Sequence, residues 1–135
     1  MTSADQSPQE VYSGWPYRLL QGIFKAILYL PWIWTALFAL FVLGTAVSVG
    51  HLPTYGSPDP KDAGAISFLY MPVMVIMLMV MGFSPIGIGL ALIKLLRDVP
   101  PFIKRSEALL YLAGMIMFLI IVRSDVAGLI TWLGD

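Results

Sequence analysis

The sequence predicts an all-α integral membrane protein with three transmembrane helices, and three observations carry that expectation. The first is composition: hydrophobic residues make up 59% of the 135-residue chain and charged residues 12%. A soluble domain carries roughly 25% charged residues, and a small one has much surface to hydrate. The second is the length of the uncharged runs, which approach or exceed the roughly 20 residues a helix needs to cross about 30 Å of hydrocarbon. The third is the alternation of basic and non-basic segments along the chain, as expected when successive loops lie on opposite sides of a bilayer.

Taken in order, the chain begins with "MTSADQSPQEVYSG", which is polar and has no Lys or Arg. A secretory signal needs a basic start and an apolar stretch, so residues 1–14 are expected to be a disordered polar tail. Residues 15–135 then form a single membrane domain without internal repeats. "WPYRLLQGIFKAILYL" follows. Arg18, Gln21 and Lys25 share one helical face, and Leu19, Leu20, Ile23, Phe24 and Ile27 cover the rest. With Tyr12, Trp15 and Tyr17 suited to the headgroup layer, this segment predicts an interfacial N-terminal helix, or equally the basic flank of a longer first helix.

No charge occurs over residues 26–50, which predicts the first span near 27–49. Pro31 would lie near its start, where proline costs least. Asp59 before Pro60 fits an N-cap and first helical position, and predicts a short helical turn. The uncharged run between Asp62 and Lys94 predicts a second span near 69–95. It contains "GFSPIGIG" over 82–89, where Gly82, Pro85, Gly87 and Gly89 suggest a kink or break and close helix packing. Pro100 and Pro101 end that helix. A third span near 105–123 rises about 27 Å from Arg105 to Arg123, which is nearly the hydrocarbon thickness. "VAGLITWL" then predicts a short C-terminal interfacial helix, capped by Ser124 or Asp125, with Trp132 at headgroup level.

Arg18 and Lys25 flank the first span, and Lys94, Arg97, Lys104 and Arg105 cluster in the second loop, against Lys61 alone in the first. This predicts a bacterial-type inner (cytoplasmic) membrane protein with a cytoplasmic N-terminus and its C-terminus on the opposite side. Arg123 and Asp125 are about 200° apart on a helix and cannot pair if it continues. Arg123 is therefore read as the far boundary of the third span and as a candidate contact to another chain.

Little here points to chemistry. There are no cysteines, one histidine (His51) and no net charge. No catalytic residue, metal ligand or cofactor is expected, and no nucleic acid partner. No nucleophile, base and orienting group come together, so the chain is read as not an enzyme. "MPVMVIMLMVM" places Met71, Met74, Met77, Met79 and Met81 in the second span, where thioethers fill irregular gaps but can also bind Cu(I). Met77 and Met81, four apart on one face, resemble the Met-x-x-x-Met of the second span of the three-span membrane copper transporters. That resemblance implies copper conduction along these two residues. Those transporters also have a Gly-x-x-x-Gly in span three, whereas Gly114 here lacks that spacing. Polar span residues are few: Thr35, Thr45, Ser48 and Ser84. The function expected is a non-catalytic accessory or assembly subunit of a larger membrane complex of respiratory, secretion or conjugation type, with membrane lipids and other membrane subunits as partners. The alternatives are a homo-oligomeric, holin-like or toxin-like pore and the methionine-lined copper transporter.

Overall fold

A computed structural model describes residues 15–53, 59–62, 64–125 and 128–134; the predicted polar tail over 1–14 lies outside them. All described regular elements are helical. Helix α1 spans Trp15–Val49, α2 Tyr70–Arg97, α3 Arg105–Ser124 and the short α4 Leu129–Leu133. Two 3-10 segments, Pro60–Asp62 and Gly64–Leu69, precede α2. Three helical stretches are long and apolar enough to cross a membrane: Trp15–Val49, Gly64–Arg97 and Arg105–Ser124.

The first helix takes the longer of the two forms expected for it. The interfacial segment and the first span are one helix of 35 residues, about 52 Å long. Nothing between Lys25 and Ile27 breaks the backbone. Phe102, from the loop before α3, packs edge-on against Tyr17 at 5.8 Å and stacks on Phe24 at 6.0 Å. These contacts hold the early turns in line with the rest of the helix. Pro31 consequently sits deep inside α1 rather than near its start.

The expected break at Gly82–Pro85 is also absent, and α2 runs unbroken from Tyr70 to Arg97. Pro85 has no N–H for the carbonyl of Met81, four residues back. The neighbouring hydroxyl answers it: Ser84 Oγ donates to that carbonyl at 2.9 Å. The "Ser-Pro" dipeptide supplies its own repair. The turn predicted at Asp59 is present, with Asp59 Oδ1 accepting from the Lys61 amide at 2.8 Å. The third helix lies within one residue of its predicted bounds.

The core centres on aromatic rings. Trp34, wholly buried, stacks on Phe38 at 4.9 Å and meets Phe118 edge-on at 4.8 Å. Its indole N–H has no acceptor among the described residues. The last helix packs back on the bundle: Trp132, expected at headgroup level, is wholly buried and stacks on Phe41 at 5.3 Å. Asp125 causes this reversal. It ends α3 in the left-handed region, φ 39°, and its Oδ1 accepts from the Ile130 and Thr131 amides at 2.6 and 3.1 Å. The Thr131 hydroxyl donates to its Oδ2. One carboxylate thus turns the chain and caps α4, folding Trp132 and Leu133 back against the bundle.

Candidate functional site

The glycines singled out in the sequence divide into two kinds. Gly87 is buried, and a Cβ there would lie 2.3 Å from the Tyr111 hydroxyl oxygen. The missing side chain lets α2 and α3 approach, and Tyr111 Oη donates to the Ser84 carbonyl at 3.3 Å. Gly82 and Gly89 have nothing within 4 Å of a built Cβ. They are seven residues apart, hence two turns apart on one face. With Leu78, Ile86 and Ile93 they form an exposed apolar stripe notched twice. Pro85 is exposed beside them within the unbroken α2.

Two packing glycines escaped the sequence reading. A Cβ on Gly114 would meet Trp32 Nε1 at 2.7 Å, and one on Gly44 would meet Ile66 at 2.8 Å. Through the gap at Gly114, Trp32 Nε1 reaches the Leu110 carbonyl at 2.9 Å. The available signal was the aromatic-rich "PWIWT" of the first span, whose rings need recesses opposite them in a close-packed interior.

Arg123 stands exposed in the last turn of α3 and forms no ion pair or hydrogen bond with the described residues. It closes one end of an open, shallow groove of about 380 Å³ lined by Ile116, Leu119, Ile120 and Ser124. It does not pair with Asp125, whose carboxylate is engaged by α4. The Thr131 hydroxyl, then burial and the Thr131 and Ile130 amides, act on that carboxyl, and the net result holds it below its ordinary value of 3.8.

The opposite end of the bundle is densely charged. Lys94 is buried, and its Nζ donates to Asp98 Oδ1 at 2.9 Å and to the Asp98 and Pro100 carbonyls at 3.3 and 3.2 Å. Three acceptors offset the cost of burying an ammonium. Asp98 also faces Arg105 Nε at 3.5 Å, and the hydrogen bond and charge of Lys94, then Arg105, hold its carboxyl below its ordinary value. Lys25 of α1 pairs with Glu107 of α3 at 3.5 Å, and Glu107 Oε2 accepts from the Lys104 amide at 2.8 Å.

The polar span residues turn inward on themselves. Thr35, Thr45 and Ser48 each donate to the carbonyl four residues earlier, and Ser84 to Met81. His51 hydrogen-bonds the adjoining Leu52 carbonyl. Met77 is partly buried against the core, whereas Met81 is exposed. Among the described residues no group of three His, Asp or Glu could hold a metal ion. No family model matches the chain, and neither does any curated protein or solved structure with which it was compared.

Proposed function

We propose that this chain is a small, non-catalytic accessory or assembly subunit of a larger protein complex in a bacterial-type inner membrane. Its N-terminus lies on the cytoplasmic side and the end of α3 on the other. The observation that carries the reading is the stripe at Gly82 and Gly89. Within lipid no hydrophobic drive brings helices together, and small residues that admit a neighbouring backbone do much of that work. Gly87 is already filled by Tyr111, but Gly82 and Gly89 leave room for a helix from another chain. Arg123 supplies a second contact, an unpaired guanidinium at the end of an apolar groove that suits a partner's carboxylate. Thr35, Thr45, Ser48 and Ser84 each bond a carbonyl of their own helix, which supports the same reading. A pore would need a span with a polar face, and these side chains present none.

The test is recovery of a tagged copy from native membranes in mild detergent, followed by mass spectrometry of the intact assembly. Stoichiometric partner subunits are expected. Gly82→Leu with Gly89→Leu is expected to release them, and Arg123→Ala to weaken their hold. Recovery of the wild-type chain as a lone monomer would sink the proposal.

A further inference from the structure

The zero net charge of the chain conceals a strong polarisation. Among the described residues, the end formed by the start of α1, the end of α2 and the start of α3 holds six basic residues against two acidic. These are Arg18, Lys25, Lys94, Arg97, Lys104 and Arg105, facing Asp98 and Glu107. The contacts of Phe102 with Tyr17 and Phe24, and of Lys25 with Glu107, tie the three elements together there.

The acidic residues are spent inside this end. Glu107 faces Lys25, and Asp98 faces Lys94 and Arg105. Arg18, Arg97 and Lys104 remain, one from each element, all exposed and with no ion pair or hydrogen bond from their side chains to the described residues. They are interleaved with large exposed apolar side chains. Trp15 is 76% exposed, Leu96 81% and Val99 52%, with Leu19 beside Arg18.

We infer that this end of the bundle binds anionic phospholipid headgroups, with the phosphates on Arg18, Arg97 and Lys104 and the acyl chains against Trp15, Leu19 and Leu96. The inference rests on the reading of the chain as bilayer-spanning. Cations alone would suit any polyanion. The apolar side chains among them favour a ligand that carries hydrocarbon next to its negative charge, and a soluble polyanion would leave them wet. Basic side chains beside a membrane-crossing helix attract anionic lipid in this way, and salt screens the attraction.

The experiment reconstitutes the purified full chain into phosphatidylcholine vesicles with and without phosphatidylglycerol. Co-flotation reports insertion, and spin-labelled lipids report which headgroup the protein retains. The chain is expected to float with both vesicle types and to enrich phosphatidylglycerol over phosphatidylcholine. Replacing Arg18, Arg97 and Lys104 with Gln should lower that preference by up to roughly fivefold per cation at low salt. The charge-keeping set Arg18→Lys, Arg97→Lys and Lys104→Arg should preserve it. Flotation without headgroup preference would overturn the lipid inference alone. Failure to float with either vesicle would remove the bilayer-spanning reading as well. Displacement of phosphatidylglycerol by a short oligonucleotide at low concentration would assign the cations to a soluble polyanion and overturn the inference too.

Discussion

The two kinds of glycine respond to the same substitution with opposite sign. At Gly87 a methyl group would enter the space of the Tyr111 hydroxyl, and overpacking of this kind costs about 1–3 kcal/mol. Gly87→Ala is therefore expected to lower the thermal midpoint in detergent. At Gly82 and Gly89 the space is open, and Ala is the better helix former by roughly 0.5–1 kcal/mol. Gly82→Ala should leave the isolated chain as stable or more so. A fall at Gly82 as large as that at Gly87 would contradict the packing described. Trp32→Phe removes the bond to the Leu110 carbonyl and should cost about 1 kcal/mol. None of this distinction is legible in "GFSPIGIG", because helix periodicity places Gly82 and Gly89 on one face without saying whether that face looks in or out. Tyr111 decides it, from a helix some 24 residues later in the chain.

At the scale of elements, the sequence defined the third helix closely and the ends of the others less well. Charges mark the limits of an apolar run, so 105–123 was readable from Arg105 and Arg123. The break expected at Pro85 failed because one hydroxyl can replace a missing amide donor, a repair visible in "SP" only once its geometry is known. The burial of Trp132 was not readable because an amphipathic aromatic is equally at home in a headgroup layer and a core, and Asp125 folds it onto the core. The Asp125 carboxyl is held below its ordinary value of 3.8, chiefly by Thr131. A lowered folded value means that this contribution is complete above the ordinary value and fades as pH falls through the folded one. Docking of α4, followed by limited proteolysis after residue 125, should thus be tight at neutral pH and loosen in strong acid. Asp125→Asn should cleave readily at neutral pH and show less change on acidification; equal protection of both chains would refute the cap. Asp98 behaves alike where α2 gives way to the loop before α3, with Lys94 the main cause.

For the whole molecule, the alternating apolar runs and basic clusters made the three-helix plan readable, while the surface proposed to meet a partner was not. Partner choice depends on which side chains remain outward after the helices pack, and a single chain does not print that. Accessibility labelling in oriented vesicles tests the proposed topology: a cysteine in place of Lys104 should react from the cytoplasmic side and one in place of Lys61 from the other. Reaction of both from the same side would reject the arrangement. The stack of Trp132 on Phe41 has a further, optical consequence. The chain has four tryptophans; Trp15 is largely exposed at one end, Trp32 is partly buried, Trp34 is sealed in the middle, and Trp132 is sealed between α4 and Phe41. In detergent solution, emission at the long-wavelength edge then reports Trp15 and emission at the short-wavelength edge reports Trp34 and Trp132. A shift to longer wavelength in Asp125→Asn, absent when Trp132 is also replaced by Phe, would record the lifting of one small helix in an otherwise unlabelled protein.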